Sequence, residues 1–239
     1  MAFPTPVLVL VRPHLPSNLG SAARAAKNFG VSEIRLVEPA AAVDEDSHRL
    51  ASGADDLLAS LKRYADLDSA VAELPAVIAT SSMRGRESQR FLDLAELPSF
   101  MQDLGRETGV GFVFGPERSG LTEAERSRAS ACLRLPSVPD FPTLNVSHAI
   151  AVVLAISRLS APSSRREEPL ASASEIEGAV SHWDRALDAI GFYDTGHRER
   201  SLRDWRRIVA GRPLTEKECA LLRGVANRVM VALRLKSEP

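Results

Sequence analysis

The chain has 239 residues, 44% of them apolar and 26% charged, with a formal net charge of −1. That size and composition suit one or two compact domains with a sizeable core, and the near-neutral balance excludes a protein that grips nucleic acid over its whole surface, so any RNA site must be local. Cys132 and Cys219 are too few and too far apart for a disulfide framework or a thiolate metal site. The Val7–Val11 run is too short to span a membrane and follows no basic segment, so a reducing, cytoplasmic setting is expected.

The first two thirds alternate between short apolar runs and helical patterns. Val7–Val11 reads as a buried strand, Asn18–Phe29 as an Ala-rich helix, Ile34–Val37 as a strand and Ala51–Leu61 as a helix. A further helix at Asp66–Leu74 precedes a strand at Ala76–Thr80. Val110–Phe114 is the most apolar strand. It is followed by a short helix at Thr122–Ala129 with Thr122 as cap and Glu125 as its third residue. A strand at Cys132–Leu135 and a helix at Asn145–Ser160 close the series. Continuous apolar runs between helices predict an α/β fold with a mostly parallel sheet covered on both faces.

The pattern changes after residue 160. We read residues 1–160 as one domain, 161–173 as a Pro- and Ser-containing linker, and 174–239 as a helical domain with helices at Ser174–Ile190, Ser201–Val209 and Thr215–Leu235. Residues 1–160 hold 16 Lys and Arg against 19 Asp and Glu, whereas the remainder holds 14 against 12. Six arginines fall within Gly196–Arg212, among them Arg203, Arg206 and Arg207. They read either as a phosphate-binding patch or as a solvated helix face.

Three segments carry the chemistry. Arg12–Gly30 (RPHLPSNLGSAARAAKNFG) follows a strand. Asn18 caps or hydrogen-bonds the loop, Gly20 permits close approach of a ligand or chain, and Arg24 sits early in a helix, where the macrodipole disfavours it. A substrate phosphate or a surface salt bridge would account for that arginine. Val113–Leu121 (VFGPERSGL) follows the most apolar strand, at the sheet end where open parallel sheets bind ligands. There Gly115 allows close backbone approach, Glu117 can hold amides, and Gly120 suits a positive φ. Leu135–Ala149 (LPSVPDFPTLNVSHA) is a loop stiffened by three prolines, with Thr143 and Asn145 as its polar groups; His148 is read as structural rather than catalytic. A fourth segment, Thr80–Arg90, again follows a strand and offers Arg84 and Arg86 to phosphates. Dinucleotide and Walker glycine loops, H-x-x-x-H, paired Cys ligands and the G-x-S-x-G elbow are all missing from the sequence. This argues against a nicotinamide oxidoreductase, a metal hydrolase and a serine hydrolase.

Together these segments resemble the SPOUT class of RNA methyltransferases in its SpoU/TrmH branch. N-L-G-S-A-A-R at Asn18–Arg24, F-G-P-E-R-S-G-L at Phe114–Leu121 and L-P-S…T-L-N-V-S-H-A-I at Leu135–Ile150 match its three motifs in order. Within the branch the chain looks most like the TrmJ group, tRNA (cytidine/uridine-2′-O)-methyltransferases acting at position 32. T-S-S-M-R-G-R at Thr80–Arg86 resembles that group's basic loop, and Gly191–Tyr193 and Leu221–Val225 resemble its helical extension. Pro142 and Thr143 depart from the group's usual Ser-Ser. The resemblance implies a trefoil knot in the carboxyl-terminal part of the catalytic domain, a homodimer, S-adenosylmethionine as cofactor with S-adenosylhomocysteine as product, no metal, and tRNA as partner. It implies catalytic roles for Arg24, Asn18, Glu117, Asn145 and Thr143. Cofactor contacts are implied at Thr80, Ser81, Gly115, Glu117, Gly120, Leu135, Pro136, Leu144 and Asn145, and RNA contacts at Arg24, Arg84, Arg86, Arg203, Arg206 and Arg207. Ribose methylation of rRNA or of another tRNA position is the alternative, and a non-catalytic RNA-binding or assembly factor is the remote one.

Overall fold

Strands form where apolar runs can be buried on two faces. The computed structural model describes residues 6–81, 91–104, 109–159, 169–193, 198–209 and 213–236. Its sheet contains β1 (Pro6–Val11), β2 (Glu33–Val37), β3 (Lys62–Tyr64), β4 (Ala76–Ser81), β5 (Phe91–Asp93), β6 (Val110–Phe114) and β7 (Ala131–Arg134). The order is β3-β2-β1-β6-β4-β7-β5 and every pairing is parallel. Alternate residues serve opposite faces. Leu8, Leu10, Ile78, Phe112, Phe114 and Leu133 enter one core, while Val7, Val9, Val77, Val113 and Cys132 enter the other. Full burial of side chains such as Phe112 and Phe114 stabilises the fold by about 1.5–3 kcal/mol each.

The connecting helices are α1 (Pro16–Asn28), α2 (Glu45–Ala51), α3 (Asp55–Ala59), α4 (Leu67–Val71), α5 (Leu97–Leu104), α6 (Glu123–Arg126) and α7 (Val146–Ser157). The capping predicted at Thr122 is present, with Thr122 Oγ1 accepting from the Glu125 amide at 3.2 Å and Glu125 Oε2 accepting from the Thr122 amide at 2.7 Å. Two expectations are corrected. The helix predicted over 51–61 is shortened to α3, because Ser52 (φ 39°) and Gly53 (φ 86°) turn left-handed and end the preceding α2 at Ala51. The helix predicted over 66–74 is confined to α4, with Asp66 as its cap. α2, β3, β5 and α5 were not anticipated.

The carboxyl-terminal part is helical, as predicted: α8 (Ala173–Ala189), α9 (Arg198–Val209) and α10 (Glu216–Lys236). Ile176, Ala179, Val180, Val209, Leu214 and Cys219 form its core, and Trp183 stacks on Trp205 with centroids 5.2 Å apart. The last residues assigned to the linker already pack here. Ala171 is fully buried, and its amide donates to the Leu214 carbonyl at 2.8 Å. The extension docks on the sheet domain through backbone bonds from Ala173 to Leu74 (2.9 Å) and from Ser174 to Ala72 (3.0 Å), and through the Arg128–Glu177 ion pair at 2.9 Å. Among the described residues, no helix is long and apolar enough to cross a membrane.

Candidate active site

Parallel strands aim their carboxyl ends the same way, so the ends of β1, β6, β4 and β7, with the loops after β1, β6 and β7, meet at one end of the sheet. The loop after β6 doubles back. A Cβ at Gly115 would fall 2.5 Å from the Gly120 carbonyl carbon and closer still to the Leu121 amide, so only glycine fits. Gly120 adopts φ +64°, and its amide donates to the Pro116 carbonyl at 2.9 Å. Beyond the loop, Arg126 donates to the Leu121 carbonyl, and Arg12 at the end of β1 grips Glu125, with Nη2 to Oε2 at 3.0 Å. The loop is therefore fixed at both ends and edges a cleft.

Of the residues predicted to hold a cofactor, Thr80, Ser81, Gly115, Glu117, Gly120, Leu135 and Leu144 line this cleft, as does Thr143. Pro136 and Asn145 stand outside the lining. The Thr80 hydroxyl is already engaged, donating to the Val113 carbonyl at 3.1 Å. Arg126 and Arg118 also line the cleft and were missed. Arg126 reaches it only because the loop folds back, which no local pattern announces.

A chain of hydrogen bonds joins the three motifs behind the cleft. Asn18 Nδ2 donates to Glu117 Oε1 at 2.6 Å, and Asn145 Nδ2 donates to Asn18 Oδ1 at 3.2 Å. Asn145 Oδ1 accepts from the Ser147 amide at 2.9 Å, which caps α7. The His14 amide reaches Glu117 Oε2 at 3.3 Å. Asn18 is 4% exposed and is not the cap of α1; that position belongs to Leu15, with Pro16 opening the helix. Burial pushes the Glu117 carboxyl up, but the bond from Asn18 and the amides of Glu117, His14 and Leu15 outweigh it and leave the group below the ordinary carboxylate value. Glu117 is therefore a committed, ionised brace.

Gly20 serves packing within the chain. A Cβ there would collide with the Ser47 carbonyl, so glycine lets α1 lie directly on α2. Contrary to expectation, Arg24 is not early in its helix: α1 opens at Pro16, which puts Arg24 past the middle of its 13 residues and outside the N-terminal dipole. Arg24 is exposed, and among the described residues no hydrogen bond or ion pair holds its guanidinium. It does not line the cleft of its own chain. Arg84 and Arg86 lie outside the described residues. Arg206 is bidentate to Glu177 at 2.7 and 3.1 Å, Arg203 Nε lies 3.3 Å from Glu123, and Arg207 lies 3.8 Å from Asp204. Among the described residues, no three His, Cys, Asp or Glu side chains gather as a metal site.

A parallel sheet with this cleft, and with its three motifs hydrogen-bonded behind it, defines a SPOUT-type α/β methyltransferase domain followed by a helical extension. The chain belongs to the SpoU rRNA methylase family, whose model matches residues 5–155; residues 174–238 match the model of the TrmJ tRNA methyltransferase C-terminal domain. A tRNA (cytidine/uridine/adenosine-2′-O-)-methyltransferase TrmJ from Pseudomonas aeruginosa is 30% identical over 95% of this chain and 94% of its own. The crystal structure of TrmJ from Z. mobilis superposes with a TM-score of 0.81 at 29% identity, covering 94% of this chain and 99% of that one. An AdoMet-bound rRNA methyltransferase from Sinorhizobium meliloti shares the fold (TM-score 0.51, 24% identity, 65% of this chain and 57% of that one).

Proposed function

We propose that the protein methylates a ribose 2′-hydroxyl of tRNA, at position 32 of the anticodon loop, using S-adenosylmethionine and working as a homodimer in the cytoplasm. The hydrogen-bonded Glu117–Asn18–Asn145 chain carries this reading, because it assembles the three motifs around one cleft. The cleft suits the cofactor: Gly115 offers bare backbone, and the half-buried Leu135 and Leu144 offer apolar surface to an adenine ring. The cofactor supplies a methyl group already activated on sulfonium. The trefoil threading implied by the resemblance belongs to the same proposal.

The protein's task is then alignment and charge. Thr143 orients the ribose at the mouth of the cleft. Arg24 offers a planar fork of donors and no acceptor, so it acts on the developing alkoxide and the adjacent phosphate rather than as a base. Phosphate or water takes the proton. Arg24 lies six residues beyond Asn18 on α1, about 9 Å along the helix axis. A two-fold dimer packed through α1 and the exposed edge of α7, where Val152 is 37% and Leu159 just beyond it 71% exposed, brings this arginine to the partner's cleft. The helical extension grips tRNA.

The test incubates the protein with radiolabelled cofactor and unmodified tRNA or rRNA, and maps the label by nuclease digestion and mass spectrometry. We expect label on the ribose of tRNA nucleotide 32, lost in Arg24→Ala and not restored by Arg24→Lys. Label at another nucleotide or on rRNA overturns the substrate. Near-normal turnover in Arg24→Lys overturns the need for a planar, multi-donor group.

A further inference from the structure

The loop between β7 and α7 carries an apolar tip that nothing among the described residues covers. Val138 is 64% and Phe141 77% exposed, and Phe141 is the most exposed large apolar side chain among the described residues. The tip is well held. Pro136, Pro139 and Pro142 each fix a backbone angle. The Phe141 amide donates to the Val138 carbonyl at 3.1 Å, the two residues form an antiparallel bridge, and Ser137 Oγ donates to the Pro142 carbonyl at 2.9 Å. Immediately after the tip, Pro142, Thr143 and Leu144 line the cleft.

We propose that Phe141 is a stacking platform for the nucleobase of the nucleotide being methylated. The inference rests on the ribose-methylation reading above. With that ribose at Thr143, its base must leave the stack of the RNA loop, and the exposed ring two residues away offers a flat apolar surface for it. Splayed bases of single-stranded RNA are held in this way, and stacking tolerates every base because each has a π-face. The only charge on the tip is Asp140, which repels phosphate and favours a base over the backbone as the occupant. The tight turn fixes the Phe141 backbone in advance, and a phenylalanine has only two side-chain torsions left to order on binding. Phe141 therefore contributes affinity for the splayed nucleotide and leaves base identity to hydrogen-bonding groups.

The test uses the full-length protein and its Phe141→Ala, Phe141→Leu, Phe141→Tyr and Phe141→Trp variants. Readouts are cofactor affinity by calorimetry, oligomer mass, and kcat/KM for tRNA. Phe141→Ala and Phe141→Leu should lower kcat/KM by roughly five- to a hundredfold, while Tyr and Trp stay near the parent. Cofactor affinity and oligomer mass should not change. On RNA made abasic at the nucleotide that the parent protein methylates, the parent and Phe141→Ala should react alike. Parent-like activity in Phe141→Ala or Phe141→Leu, or a gap that persists on abasic RNA, overturns the proposal. Weakened cofactor binding would make Phe141 a cofactor contact, and a lower oligomer mass would make it a subunit contact; either also overturns it. A parent protein that labels no RNA ribose would overturn the underlying reading as well.

Discussion

Asn18→Ala tests whether the hydrogen-bonded brace behind the cleft sets the stability of the domain. Asn18 is 4% exposed and donates to an ionised carboxylate at 2.6 Å. Hydrogen bonds to charged groups contribute about 1.5–3 kcal/mol net, and the cavity left by the side chain adds to the loss. We expect a destabilisation of about 2–3 kcal/mol at pH 7, which for a chain of this length lowers Tm by roughly 4–12 °C. The pH dependence identifies the cause. Burial raises the Glu117 carboxyl, but Asn18 and three backbone amides depress it below its ordinary value. A depressed carboxyl adds stability above its unfolded pKa and loses it as pH falls through the folded one. The gap between parent and variant should therefore be widest near neutrality and should close as the pH drops below about 4. Asn18→Asp sets two carboxylates side by side. It should be less stable than Asn18→Ala at pH 7 and should recover on acidification. Thermal denaturation from pH 3 to 8 reads both variants. A gap that stays constant with pH, or an Asp variant more stable than the Ala variant at pH 7, would refute the assignment.

Gly115→Ala forces the loop after β6 off its backbone neighbours and should weaken cofactor binding by roughly ten- to a hundredfold. Gly120→Ala meets no atom within 4 Å and should cost only about 1 kcal/mol of stability for its positive φ; equal cofactor losses in the two variants, measured by calorimetry, would contradict this contrast. Burial pushes the Cys132 thiol up to about 11, and the residue is 1% exposed, so a thiol reagent at pH 8 should label it only as the protein unfolds; rapid labelling of the native protein would reject this. Glu177→Gln should cost about 1–2 kcal/mol at pH 7, because it removes the partner of Arg206 and Arg128. Burial raises the Glu177 carboxyl, but the two arginines hold it below its ordinary value, so the cost should vanish in acid; thermal melts at pH 7 and pH 3 check this.

The sheet was legible where strands are buried on both faces. β1, β2, β4, β6 and β7 fall within about two residues of their apolar runs, because a run of Val, Ile and Leu bounded by turn residues has few other places to go. The edge strands were not legible. β3 reads Lys-Arg-Tyr and has no buried residue, and β5 has three residues with only Leu92 buried. Pairing with a neighbour makes them strands, and a sequence window does not contain the neighbour. The break at Ser52 and Gly53 carried a readable signal in Gly53, but the left-handed turn already begins at Ser52, a residue that does not announce it. At the site, Gly115 and Gly120 were readable as backbone requirements. The role of Asn18 was not, since its partners Glu117 and Asn145 lie 99 and 127 residues away. The family resemblance grouped these three residues; the geometry shows the bonds between them.

The arginines of α9 show how charge counted along a sequence differs from charge offered to a ligand. Arg198 pairs with Asp184 at 3.0 Å, Arg203 with Glu123, Arg206 with Glu177 and Arg207 with Asp204. These pairs are not equal. Arg203 and Arg207 are about 40% exposed at the side chain, and exposed pairs contribute about 0–1 kcal/mol, so a phosphate can displace the acid at little cost. Arg206 is 17% exposed and bidentate, and drawing it away leaves a half-buried Glu177 with only Arg128 opposite. In the proposed tRNA-gripping role of α9, Arg203 and Arg207 are therefore the phosphate ligands, while Arg206 holds α9 on α8. Replacing Arg203 and Arg207 together by Ala should leave Tm nearly unchanged and flatten the log–log salt dependence of tRNA binding by about 2. Arg206→Ala should instead lower Tm. A full salt slope in the double variant would place the grip elsewhere, and a thermally silent Arg206→Ala would mean that the pair with Glu177 holds nothing in place.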